Sequence, residues 1–397
     1  MRGCDPTDAP LGVPLAAAGV GWTRLAPGDA AATDPDPTEP GRPRPAATPV
    51  SGGHEPAGVY LRPLADPWLP ARASRDALPR ARRLQAFLRP LQRVAAGRFE
   101  LHGRIELWVI DQDDWPRLTS APYGWPFTRT RPTAESAAGA GGPATTIVVA
   151  AEVPGRLLKR FDPVLMAAAR AGVRVPDPAG PPRGGGGAPV WGGGPWSERS
   201  GATLEGAPWA RADARELFDL VTGHEWGHAV AQLAGLRTRV KWLDELIATT
   251  LFLAALRDTG EEEVLRRFLA WADVQVVGGA DAAAAEPPAF GRSAARRPGP
   301  PRRDLGAFEV PRGRLRLPDL VWFQGTFALR AWALVREDGW SFLERFRDEI
   351  AGLDLGRGRD VRGEVARALV RIEPGFRPWF RTFGVDPDPA AAADGPG

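Results

Sequence analysis

The sequence predicts an α+β fold. A part of mixed sheet and helix spans residues 56–175, and a helical part that carries a metal site spans residues 207–385. Three observations lead there. β-Branched and alternating apolar runs occur upstream of about residue 155, whereas apolar residues at helical spacing dominate from about Asp213 onward. Residues 176–206 between them are rich in Gly and Pro and read as a loop or linker. The helical part then opens on His224-Glu225-Trp226-Gly227-His228, an H-E-x-x-H motif inside a predicted helix.

Residues 1–55 are rich in Ala, Pro, Asp and Gly with little periodicity, and are predicted to be disordered, as is the tail 386–397. Arg80–Val94 reads as a helix with Ala81, Leu84, Phe87, Leu88 and Leu91 on its apolar side and Pro90 near its end. Arg104–Ile110 alternates enough to be a strand. Ala144–Val153 is a second, because Thr145, Ile147, Val148 and Val149 favour extended backbone. Trp115–Thr130, aromatic and Pro-rich, is expected to be an ordered loop.

The motif helix is marked at both ends. Asp213-Ala214-Arg215-Glu216 has the spacing of a capping box, Leu217, Phe218, Leu220, Val221, Val230 and Leu233 supply apolar faces, and Gly235 is a stop. Lys241 begins a strongly apolar helix that runs through Leu251, Phe252, Leu253 and Leu256 to Gly260. Glu261–Val274, Leu317–Arg336, Trp340–Ile350 and Val361–Ile372 complete the helical part, with Gly279–Pro301 as a second linker and no internal repeat.

Composition narrows the function classes. The formal net charge of +3 is small and scattered, so it does not argue for nucleic acid. Arg292, Arg296, Arg297, Arg302 and Arg303 cluster in a Pro-rich stretch and read as a solvated loop rather than a phosphate patch. Cys4 is the single cysteine, which excludes an intramolecular disulfide and a thiolate metal site. No run of about 18 apolar residues spans a membrane. The default expectation is cytoplasmic. The alternative is an extracytoplasmic lipoprotein, in which Gly3-Cys4 would be a mature end behind a misassigned start.

The chemistry sits in the motif. Residues four apart stack on one helix face, so His224 and His228 can share one metal ion, and Glu225 lies where it can take a proton from metal-bound water. A catalytic zinc usually keeps three protein ligands. The chain has 4 His and none follows His228, so a third histidine shortly downstream is excluded and a carboxylate is expected. Glu245 is the candidate. Leu246, Ile247 and Ala248 follow it, which points it inward, and an inward carboxylate requires a counter-charge. Asp244 beside it reads as an ordinary acid at a helix N-terminus. Gly227 in the helix interior suggests that something comes close there, a second helix or a substrate.

His224-Glu225-x-x-His228 followed by Trp242-x-x-Glu245-x-x-Ala248 resembles the gluzincin branch of the zincin metallopeptidases, and looks most like the peptidase MA-type families of bacteria. Leu246 stands where that group usually has glycine. Trp322-Phe323-Gln324-Gly325-Thr326-Phe327 and Glu337-Asp338-Gly339-Trp340-Ser341-Phe342 are weaker similarities, and the resemblance covers at most about residues 100–380. It implies a zincin-like fold, Zn2+ held by His224, His228 and Glu245, Glu225 as general base, and a peptide or protein substrate. It also implies an edge strand that grips extended substrate, a part that Thr146–Ala151 can play; an interior strand is the equal alternative.

One member of the expected apparatus is absent. Gluzincins commonly place a Tyr or His after the motif to stabilise the oxyanion, yet the 2 Tyr here, Tyr60 and Tyr123, both precede it. Arg330, Gln324, Trp322 and Tyr123 remain as donors. The absence motivates a second reading, a catalytically impaired zinc protein presenting its groove to a partner; the retained Glu225 argues against it. A third is a helical interaction protein with a coincidental motif.

Overall fold

The computed structural model describes residues 59–131, 142–155, 214–238, 240–285, 304–309, 317–353 and 361–385. The ends predicted to be disordered, Cys4, the predicted capping acid Asp213, the insertion at 176–206 and the arginine cluster between 292 and 303 lie outside them. Within them the architecture is α+β. Five strands form one sheet in the order β1-β2-β3-β5-β4, with β1 Arg62–Leu64, β2 Ala71–Ala73, β3 Arg104–Ile110, β4 Phe127–Arg131 and β5 Ala144–Ala150. β2, β3 and β5 run parallel, while β1 and β4 flank them antiparallel.

Both central strands are almost continuously buried, as strands covered on two faces should be. Ile105, Leu107, Val109, Ile147 and Val149 point to the helices and join the main core. Trp108, Ile110, Val148 and Ala150 point the other way, into a smaller cluster with Phe127, Trp115, Leu118, Val59 and Leu61. Helix α1, Leu78–Arg98, links β2 to β3 and buries Ala81, Leu84, Leu88, Leu91 and Ala95 at helical spacing.

The segment Trp115–Thr130 is more regular than a loop. It contains a helical turn, α2 (Trp115–Leu118), and most of β4. Pro122, Gly124 and Pro126 dominate its composition, but Phe127–Arg131 alternates and pairs along β5, from Phe127 against Val148 to Arg131 against Ala144. Among the described strands the edges are therefore β1 and β4, and Thr146–Ala150 belong to the interior strand β5.

The helical part is built around α4. Helix α3, Ala214–Leu233, carries the motif and stops at Gly235, whose φ of +70° suits a residue without a Cβ. Helix α4, Lys241–Asp258, is buried from Trp242 to Leu256 except at Asp244 and Glu245. A helix apolar on every side belongs in the middle of a protein, and neighbours surround α4. They are α1, α3, α5 (Glu262–Ala285), α6 (Leu305–Glu309), α7 (Leu317–Glu337) and α8 (Trp340–Ala351). Helices α9 (Val361–Ile372) and α10 (Phe376–Arg381) follow at the far end, where Trp379 of α10 packs tilted and Phe380 edge-on against Trp242. Helix α5 runs beyond the predicted Val274, through Gly278 and Gly279 to Ala285; the alanine-rich end holds helix where a linker was expected.

Candidate metal centre

Two contacts fix the geometry between α3 and α4. At Gly227 a Cβ would sit 2.1 Å from the backbone oxygen of Ala248, and at Gly223 one would sit 2.3 Å from the Phe252 ring. Backbone-to-backbone approach at Gly227 is what brings the side chains of neighbouring turns within reach of one another; the close neighbour at this glycine is the second helix, α4. Where α4 begins, the Asp244 carboxylate accepts hydrogen bonds from the Thr238 N–H at 2.9 Å and from its hydroxyl, and pairs with Arg237. That acid therefore locks the turn between the helices. Glu309, reaching over from α6, accepts from the Trp242 N–H at 3.2 Å and caps the first turn of α4.

The result is a convergence of His224, His228 and Glu245, whose ligand atoms all lie within 4.8 Å of one another. The Glu245 Oε2 atom is 3.0 Å from His224 Nε2 and 3.5 Å from His228 Nε2. Ligand atoms placed tetrahedrally about 2.0–2.1 Å from a single ion stand about 3.3–3.4 Å apart, so the two separations to Glu245 are close to that spacing, while the widest, 4.8 Å, must shorten for all three to reach one ion. The donor set fits: two imidazoles and one carboxylate, each half-buried or buried. These three residues can hold a metal ion.

The charges at the cluster are strongly coupled. Burial works to raise the Glu245 carboxyl, but the facing His228 charge and the hydrogen bonds from both histidines outweigh it and hold the group well below the usual carboxylate range. Burial works to lower His228, but Glu245 and Glu225 push it up to about 9. Glu225 is displaced the opposite way from Glu245: its own burial pushes its carboxyl up, against the pull of the two histidines.

Two hydroxyls that the sequence reading passed over hold these groups in place. Thr249 donates its single proton to the Glu245 backbone oxygen at 2.9 Å, so toward His224 Nδ1, 3.0 Å away, it can only accept. An ion at the cluster would take the Nε2 lone pair in place of the hydrogen bond that Nε2 donates to Glu245, with the His224 proton then held on Nδ1 against Thr249. Thr249 lies four residues after Glu245 on the same helix face, so spacing alone could have found it. Thr128, on β4, lies with its hydroxyl 2.8 Å from Glu225 Oε2 and 2.9 Å from the Glu225 backbone oxygen. Nothing near Thr128 in sequence signals that contact.

The four proposed oxyanion donors part company. Gln324 Nε2 donates to Glu245 Oε2 at 2.9 Å and so belongs to the cluster. The Tyr123 hydroxyl accepts from the Glu152 N–H at 3.3 Å and the ring packs edge-on against Trp115. Arg330 is buried with its guanidinium 4.3 Å above the Phe376 ring, facing Glu373. Trp322 packs on Phe323 and Phe383.

No protein-family model matches the chain, and neither a curated protein nor a solved structure is significantly similar to it. No helix among the described residues is long and apolar enough to cross a membrane.

Proposed function

We propose that this protein is a zinc-dependent peptidase of gluzincin type, with His224, His228 and Glu245 as ligands and Glu225 as general base. One observation carries the reading. A half-buried carboxylate, raised by its desolvation, adjoins a three-ligand cluster, and the hydroxyl that contacts it comes from an edge strand of the sheet. A site with a purely structural ion has no use for such a base.

When bound, zinc supplies a Lewis acid for the scissile carbonyl and lowers the pKa of a water toward neutrality. The chain's own residues do the rest. The outer edge of β4 offers backbone groups to an extended peptide, which places the scissile bond beside Glu225. Glu225 takes a proton from the attacking water as the new C–O bond forms, then delivers it to the amide nitrogen as the C–N bond breaks. A carboxyl raised by burial serves both steps better than an ordinary one, because its pKa lies closer to the working pH. Thr128 serves both states too, since a hydroxyl can donate to the carboxylate and accept from the acid.

The test is metal content and hydrolysis on one set of purified proteins, with a library of internally quenched peptides as substrate. Wild type should hold one zinc and cleave. His228→Ala and Glu245→Ala should lose zinc, and Glu225→Gln should keep it while cleavage falls at least about 100-fold. Substoichiometric zinc in wild type sinks the proposal. Full zinc with no cleavage anywhere in the library leaves a zinc protein that presents a groove to a partner.

A further inference from the structure

Gln324 brings a side-chain amide to the His224–His228–Glu245 cluster. Its Nε2 is 2.9 Å from the Glu245 oxygen that both histidines also face. A carboxylate only accepts, so the nitrogen and not the oxygen of the amide must face it. One of the two amide N–H groups is thereby used. The other has no acceptor among the described residues and remains at the same cluster.

The position is held from behind. At Gly325 a Cβ would lie 2.5 Å from the Ala272 backbone oxygen and 2.8 Å from the Gln275 Cβ, so α7 touches α5 backbone to backbone at this residue. Such a contact fixes the rotation of α7 about its own axis, and with it the direction of the neighbouring side chain. Phe323 and Phe327, buried on the same helix, fix it further. The amide is thus presented by a rigid helix, as preorganised stabilisation of developing charge requires.

We infer that Gln324 has two duties: it orients Glu245 with one N–H, and it donates the other to the oxygen of the scissile carbonyl, standing in for the Tyr or His that the chain lacks. This inference rests on the peptidase reading above. Gln324 is a catalytic residue in the second duty and a positioning residue in the first.

The experiment uses the full chain loaded with cobalt, whose d–d bands report both metal occupancy and the binding of acetohydroxamate. That small probe offers an anionic oxygen without needing side-chain subsites. Wild type, Gln324→Ala and Gln324→His are compared at saturating cobalt. All three should take up one cobalt. The dissociation constant for acetohydroxamate should rise about 10-fold in Gln324→Ala and recover in Gln324→His, which restores a donor. With the peptide library, kcat should fall about 100-fold in Gln324→Ala while KM changes less than about 3-fold.

An unchanged acetohydroxamate affinity in Gln324→Ala overturns the donor role. Failure of that variant to take up cobalt at saturation also overturns it, leaving Gln324 as a support for Glu245 alone. A wild type that binds cobalt and acetohydroxamate yet cleaves nothing defeats the peptidase reading instead, and the acetohydroxamate comparison still decides the role of Gln324.

Discussion

Asp273, on α5, is a carboxylate raised by burial alone, to about 6 from its ordinary value near 3.8. The sign of its effect follows. An acid that titrates higher in the folded state releases its proton first in the unfolded chain, so folding loses stability as pH rises from about 4 to 6 and keeps that loss above it. Two units correspond to about 2–3 kcal/mol. Asp273→Asn should therefore stabilise the protein by about 1–3 kcal/mol at pH 7 and by nothing below pH 4, read from urea unfolding at the two pH values. Equal effects at both would show that the substitution acts through packing. At this same scale lies the division between Thr249 and Thr128. The first shares a helix face with Glu245 and is legible from spacing; the second arrives from another element, 97 residues away from Glu225.

Among elements, the contact between α3 and α4 decides the most. Gly227→Ala adds one methyl against the Ala248 carbonyl, where backbone cannot yield cheaply. Alanine gains up to about 1 kcal/mol in helix propensity. Overpacking costs about 1–3 kcal/mol or more and should win. Urea unfolding should show a net loss of at least about 1 kcal/mol, with zinc affinity reduced because the ligands on the two helices move apart. A stabilised Gly227→Ala would refute the close approach.

Element by element, legibility tracked the strength of the local pattern. β3 was read to its true bounds, and β5 to within three residues of its end, because β-branched runs declared both. The motif helix and the Glu245 helix were declared by apolar runs and by Gly235 and Gly260. β1 and β2, three residues each, are too short for any period to show. β4 was hidden because Pro122, Gly124 and Pro126 crowd its approach and its partner lies beyond an intervening segment. With β4 hidden, Thr146–Ala151 reads equally as edge or interior strand, and β5 proves to be the interior one. The three residues of the cluster were legible because the chain is so poor in histidine; their supports, Thr128 above all, depend on tertiary contacts that no window of sequence contains.

For the molecule as a whole, the ion would act as a cross-link between two helices of the main core. Anything bound only by the folded state stabilises it by mass action, about 2.7 kcal/mol when free ligand is 100 times its dissociation constant. Treatment with EDTA should therefore lower Tm by about 5–10 °C, and zinc should restore it. His228→Ala should melt at one temperature with or without the chelator. A chelator-insensitive wild type would mean that the helices need no ion to stay together.

The 79 residues between Glu245 and Gln324 carry a consequence for synthesis. The three ligands leave the ribosome together, within a span of two helices, while the amide that completes them is still untranslated. A nascent chain can thus gather its ion before it owns the group proposed to stabilise the reaction. On the proposed reading, hydrolytic competence would be the last property the protein acquires, withheld until α7 has docked against α5.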